Sequence, residues 1–241
     1  MRALALDTTT PAGSVAVIED ARLLAELEGD RTRTHTERLP AEIAQVLAQA
    51  GVARQDLDLL VVATGPGAFT GLRIGLAVVQ GLAMALDRPA IGVSALDALA
   101  WSARAPEGGA ASMAVWMEAS RGEVFGATYT FGPDTRDPVP DAAPVVGPPA
   151  QVLADWAAWL PAGTVFVGDA ARRHADLIGA SGRFTVHPAH PLLAGALAHI
   201  GRLRALAGQA GPPHALQPLY VRRPDVELER ERRAQLVPPT P

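Results

Sequence analysis

The turn Gly65-Pro66-Gly67-Ala68-Phe69-Thr70 carries residue types that can seat an anion. It follows a continuous apolar run, 59–63, and opens a helical stretch, so free backbone N–H groups and the positive end of a helix dipole would point together at phosphate or carboxylate. Thr70 stands where an N-cap is expected. The spacing Gly65-x-Gly67-x-x-x-Gly71 is one residue longer than the dinucleotide fingerprint, and no Gly-Lys-Ser/Thr follows as a P-loop requires. The same glycines serve equally for a tight turn and close helix-to-sheet contact. Residue types leave both readings open.

Other side chains of catalytic type are scattered. The histidines are His35, His174, His187, His190, His199 and His214. None forms an i, i+4 helical pair, and proline interrupts His187-Pro-Ala-His190, so no metal site is expected. His35 opens a helix and is expected to make a structural hydrogen bond. Ser14, Ser94, Ser102, Ser112, Ser120 and Ser181 lack the G-x-S-x-G elbow of a nucleophilic serine. The absence of cysteine excludes disulfides and thiolate chemistry.

These groups must be positioned by elements readable from periodicity. Segments 2–7, 14–18 and 22–28 predict three short strands. Thr34-His35-Thr36-Glu37 has capping-box spacing, and Leu39, Ile43, Val46, Leu47 and Ala50 follow at helical intervals to Gly51, with Pro40 expected to bend the helix or delay its start. The buried strand 59–63 leads into a helix over 71–86 in which only Arg73 and Gln80 are polar. One packed face cannot use that many apolar side chains, so its second face is expected to be covered by this chain or by another. A membrane span is disfavoured by the shortness of the run and by Arg73. A strand at 90–93 and a helix capped by Ser94, running to about Arg104, complete the order βββαβαβα. Beyond a boundary near 105–109, strands at 112–119 and 123–131, a proline-rich connection at 132–149, helices near 151–160 and 170–178, a strand at 164–167 and a helix at 191–207 predict a smaller second lobe.

Composition bounds the rest. The chain has 241 residues, 49% of them hydrophobic, enough for one large domain or two small ones. Its formal net charge of −4 disfavours contact with a nucleic-acid backbone except through a local patch or a partner. Every basic residue is arginine and there is no asparagine, which fits a GC-rich genome rather than a function. The start, MRALALDTTT, has too short an apolar run for a secretory signal, so cytoplasmic residence is expected.

LALDTTT with a following SVAV, HTERLPAEIAQVL and GPGAFTGLRIGLAVVQGLA, joined by MEASRGEVF and PLYVRR, closely resemble the TsaB (YeaZ-like) family. That family belongs to the actin-like ATPase superfamily and to the bacterial machinery making N6-threonylcarbamoyladenosine in tRNA. The matching motifs are dense over 1–100 and sparse over 130–215. The resemblance implies an α/β protein of two ribonuclease H-like lobes, each a mixed sheet flanked by helices, the second lobe reduced. The expected divisions are 1–104, a smaller C-terminal lobe 105–224 and a disordered tail 225–241. It further implies a noncatalytic accessory subunit that pairs with the catalytic TsaD subunit, works with the TsaE ATPase, forms a homodimer when alone and meets tRNA only through the complex. The pairing surface is expected on Leu39, Ile43, Leu47, Leu72, Arg73, Leu76 and Val79, some of which must also face the chain's own sheet.

The alternative is an ATP-binding phosphotransferase or ATPase of the same superfamily. Asp7, Thr8, Gly65, Gly67, Thr70 and Gly168 would then surround ATP or ADP, with magnesium at the partner seam and no cofactor tightly bound. The superfamily usually places glycine two residues after the strand-end aspartate; here Thr8, Thr9 and Thr10 follow Asp7, which puts a complete ATP site in doubt. Asp7 equally suits capping of local amides. Gly168-Asp169 resembles the superfamily's second phosphate turn and is also a common turn. Direct tRNA contact through Arg31, Arg33 and Arg38 is a third reading, and the acidic balance weighs against it.

Overall fold

The computed structural model describes residues 1–104, 112–132, 137–188 and 191–221. The expected boundary at 105–109, His190, Arg222, Arg223 and the tail 225–241 lie outside the described residues. In chain order the first part is β1 (Arg2–Asp7), β2 (Ser14–Glu19), β3 (Arg22–Glu28), α1 (His35–Ala50), β4 (Leu59–Gly65), α2 (Phe69–Leu86), β5 (Ala90–Ser94) and α3 (Ala95–Ala103). The strands form one sheet in the order β3-β2-β1-β4-β5, antiparallel through the opening meander and parallel across β1, β4 and β5.

Strand alternation decides which helix covers which face. Leu4 and Leu6 of β1 pack with Leu39 and Ile43 of α1 and Leu76 and Val79 of α2, while Ala3 and Ala5 face the opposite side. Helix α1 begins where its capping box predicts: the Glu37 carboxylate accepts from the Thr34 N–H and hydroxyl, both at 2.8 Å. It ends at Gly51 in the left-handed region, φ 65°. Pro40 lies inside α1, which starts at His35 and runs on through it.

The second part comprises β6 (Ser112–Glu118), β7 (Val124–Thr130), β8 (Val145–Gly147), α4 (Pro149–Ala157), β9 (Val165–Val167), α5 (Asp169–Arg173), α6 (Ala175–Gly179), β10 (Thr185–Val186) and α7 (Ala194–Leu206). Its sheet has the order β10-β9-β6-β7-β8. The proline-rich connection contains β8, and the helix expected at 170–178 is two short helices broken at His174. The outer face is an aromatic cluster of Trp116, Trp156, Phe166 and Phe184.

Helix α7, expected to complete the second lobe, instead packs on the first sheet. Leu197 and Ile200 join Ala3, Ala16 and Val61 in one core. A Cβ at Gly201 would lie 2.8 Å from the Val61 methyls, so the approach requires glycine. α3 and α7 thus sit between the sheets, where Asp97 accepts from the Tyr129 hydroxyl at 2.9 Å and from Arg204 at 2.8 Å. The tyrosine hydroxyl is pushed far above its usual range by burial beside that carboxylate.

Candidate functional site

The ends of β1, β4, β6 and β9 converge on a cleft between the two sheets. Asp7 is buried at the end of β1, and its Oδ1 accepts from the Thr9 N–H at 2.8 Å and the Thr9 hydroxyl at 2.6 Å. Gly13 closes the loop with φ +61°, and a Cβ there would lie 2.4 Å from the Asp7 carbonyl oxygen. Thr8 departs from the expected nucleotide set. Its hydroxyl turns under α2, fully buried and without a hydrogen-bond partner, where a Cβ at Gly75 would lie 2.2 Å away.

Behind this loop stands a charged brace that the sequence reading missed. Arg38 Nη1 donates to both oxygens of Glu42 at 2.7 Å, and Nη2 donates to the Pro11 carbonyl at 3.1 Å and to the Ala12 carbonyl. His35 Nδ1 faces Arg38 at 2.7 Å, and its Nε2 pairs with the Thr10 carbonyl at 3.1 Å. A carbonyl can only accept, so Nε2 carries the proton and Nδ1 accepts from arginine. Burial first, and the arginine charge second, hold the imidazole below its usual range. The i, i+4 spacing of Arg38 and Glu42 was the available signal. Of the three arginines of the tRNA reading, Arg38 is sealed inside, while Arg33, which donates to the Glu37 carbonyl at 3.2 Å, and Arg31, which pairs with Glu28 at 3.1 Å, are exposed.

The glycine turn is explained by close packing. Gly65 has φ +120°, a Cβ at Gly67 would lie 2.6 Å from Thr9, and the Ala68 N–H donates to the Thr9 carbonyl at 3.0 Å. Thr70 is not the cap; Ala68 holds that position, and Thr70 is an exposed residue within α2. Gly168, φ +117°, lets the chain pass against the Trp116 carbonyl, and Asp169 Oδ1 accepts from the N–H groups of Glu118 and Ala170 at 3.0 and 2.9 Å. Gly67 and Asp169 therefore border the cleft, as does Asp7, whereas Thr8 and Thr70 do not join them.

Two compartments share the floor Thr10, Pro11, Glu118 and Asp169. One, of about 600 Å³, is polar and rimmed by Arg31, Arg172 and Arg173. The other, of about 490 Å³, is apolar. Arg173 holds Glu118 at 3.0 Å, and Arg172 carries no carboxylate partner among the described residues. On the far side of the loop the N-terminus of α7 is capped from the first sheet: Ser14 Oγ accepts from the Ala194 N–H at 3.0 Å and Glu26 Oε1 from the Gly195 N–H at 2.7 Å. Desolvation raises the Glu26 carboxyl, with the Gly195 bond opposing and Asp7 adding to the rise.

The outer surface formed by α1 and α2 is the second candidate site. Leu39, Ile43, Leu72, Leu76 and Val79, expected at a partner contact, are all buried in the chain's own core. Leu47 is half-buried and Arg73 exposed. The outward residues are instead Ala77, Gly81, Met84 and Ala85 of α2, flanked by half-buried Ile74, Val78 and Leu82, with Pro40, Ala41, Ala44 and Ala48 on α1 beside exposed Glu37, Gln45 and Gln49. Met84 is 72% exposed. α2 is the one helix among the described residues long and apolar enough to cross a membrane by length and composition, and its inner face lies on the first sheet.

Two mixed sheets with loops meeting at an inter-sheet cleft give the chain a fold of the actin-like ATPase type. Component A of the (R)-2-hydroxyglutaryl-CoA dehydratase of Acidaminococcus fermentans shares this fold, with a TM-score of 0.54 at 12% identity over 86% of this chain and 99% of that one. The family model for TsaD, tRNA N6-adenosine threonylcarbamoyltransferase, matches residues 29–155. The solved structure of YeaZ from Pseudomonas aeruginosa superposes with a TM-score of 0.74 at 31% identity, covering 91% of this chain and 99% of that one. The tRNA threonylcarbamoyladenosine biosynthesis protein TsaB of Bacillus subtilis is 29% identical over 95% of this chain and 97% of its own length. That of Escherichia coli is 40% identical over 129 residues, 54% of this chain and 55% of its own. The chain belongs to the TsaB/YeaZ family.

Proposed function

We propose that this protein acts in tRNA threonylcarbamoyladenosine biosynthesis as a noncatalytic accessory subunit that pairs with and activates TsaD through the outer face of α1 and α2. The carrying observation is that face itself: a surface of alanine, glycine, glutamine, methionine and half-buried aliphatic residues, bounded by Arg73 and Glu37, on helices already anchored to the sheet. A surface of that composition on a soluble protein marks an interaction site. In a homodimer the same patch serves both copies, as two-fold pairing demands. TsaE and tRNA are reached through the complex. The noncatalytic reading is supported by where the acidic groups are spent: Asp7 on Thr9, Asp169 on two backbone amides and Glu118 on Arg173.

The test is Ala77→Arg, an exposed position in mid-helix where the fold is spared. Light scattering is expected to report a monomer with an unchanged melting curve, and TsaD pull-down is expected to fall at least tenfold. Unchanged mass and unchanged capture would overturn the proposal.

A second reading is favoured by the polar compartment. Arg172, with Arg31 on the rim beside its partner Glu28, suits the phosphates of ATP or ADP there, while Thr8 faces away from the compartment and Asp7 Oδ1 accepts from Thr9. Weakened ADP binding in Arg172→Ala, read by calorimetry, is the expected result; binding unchanged by that variant would end this reading.

A further inference from the structure

The apolar compartment has the features of a ligand pocket that neither subunit pairing nor phosphate binding uses. Its volume, about 490 Å³, lies within the usual range for small-molecule sites. Leu72 and Phe69 of α2 form one wall, Met117 and Phe125 of the second sheet another, and Leu219 and Tyr220 a third. The third wall is fastened in place. The Leu219 N–H donates to the Thr64 carbonyl at 2.8 Å, Tyr220 stacks on Phe69 at 5.6 Å, and Arg73 lies over the Phe69 ring at 4.1 Å while its Nε donates to the Tyr220 hydroxyl at 3.3 Å. A Cβ at Gly65 would lie 2.9 Å from the Leu219 carbonyl oxygen, so glycine at 65 admits this segment.

The polar end of the cavity selects the ligand's charge. Glu118 and Asp169 stand there, and among the described residues no arginine lines this compartment. Asp169 spends Oδ1 on two backbone amides and Glu118 spends Oε2 on Arg173, which leaves Oδ2 and Oε1 as acceptors. Aromatic faces with carboxylate acceptors at one end suit a flat apolar body carrying a donor-bearing, positively charged head. We propose that this cavity binds a ring-bearing amine. An anion of the same shape would meet two carboxylates, of which, among the described residues, Glu118 alone is paired with an arginine, Arg173, standing in the adjoining compartment.

The test uses the full chain and tryptamine as probe, with indole-3-propionate as the same ring bearing the opposite charge. Calorimetry is expected to show saturable one-to-one binding of tryptamine and at least tenfold weaker binding of the propionate. Asp169→Asn, which keeps the Oδ1 acceptor, is expected to weaken tryptamine about tenfold. Ala68→Phe, which places a ring in the mouth, is expected to do the same. Intermolecular NMR contacts from the indole to the Met117 methyl locate the ligand even where a variant fails to fold. Absence of saturable tryptamine binding, equal affinity for the two probes, undiminished binding in a folded Ala68→Phe protein, or contacts away from Met117 would each overturn the proposal. None of these outcomes bears on the pairing face of α1 and α2.

Discussion

Arg38 shows how one side chain organises the cleft without touching anything in it. Its guanidinium joins α1 to the loop after β1, and Glu42 neutralises it inside the protein. Removing the cation strands a buried carboxylate, so Arg38→Ala is expected to cost about 3–5 kcal/mol in urea denaturation, far more than a surface ion pair would. Thr8 makes the opposite case. Its hydroxyl is buried and unpaired, and Thr8→Val keeps the shape while removing that group. The substitution is expected to leave stability unchanged or raise it by about 1 kcal/mol, and a loss larger than that would show the hydroxyl to be engaged. Glu26 sets a pH slope. Its folded carboxyl titrates above the ordinary glutamate range, so the native state binds the proton more tightly and stability falls as pH rises through that range up to the folded value. Glu26→Gln keeps an acceptor for Gly195 and is expected to abolish that fall, its advantage over the parent growing as pH rises above the ordinary glutamate range and levelling off once the folded carboxyl has ionised. His35 runs the other way: its folded pKa is depressed, so stability is present above the ordinary histidine range and declines as pH drops through it.

At the scale of elements, the opening half was legible because local chemistry fixes its ends. Thr34 and Glu37 start α1, Gly51 stops it, and Ser94 accepts from the Leu96 N–H to start α3. The Thr70 cap misled because a helix can begin without a side-chain cap when its first amides are taken up by a neighbouring loop, as Ala68 is by Thr9. β8 and β10, three and two residues long, carry no periodicity to read, and their pairing is imposed by β7 and β9. The same limit governs the interface residues. Periodicity reports that α2 is apolar all round, but which arc meets the sheet depends on Gly71 and Gly75, whose lack of side chains lets Thr8 approach and sets the helix rotation. Gly75→Ala is therefore expected to cost about 1–3 kcal/mol through overpacking, read as a lower urea midpoint. Leu76→Arg is expected to unfold the protein rather than dissociate it, which circular dichroism would register directly.

In the molecule as a whole, α7 binds the second lobe's chain back onto the first sheet, where Ser14 and Glu26 cap it. Nothing in the local pattern of 191–207 announces that return, since its apolar residues suit either sheet; the long-range caps decide. The result is a rigid first sheet with α3 and α7 on its inner face and α1 and α2 left with an uncovered exterior. Hydrogen–deuterium exchange of this protein mixed with TsaD tests that arrangement most directly. Protection gained over His35–Ala50 and Phe69–Leu86, and lost in Ala77→Arg, is the predicted result. Protection confined to the second lobe, or a complex whose α1 and α2 exchange as they do in the free protein, would contradict it.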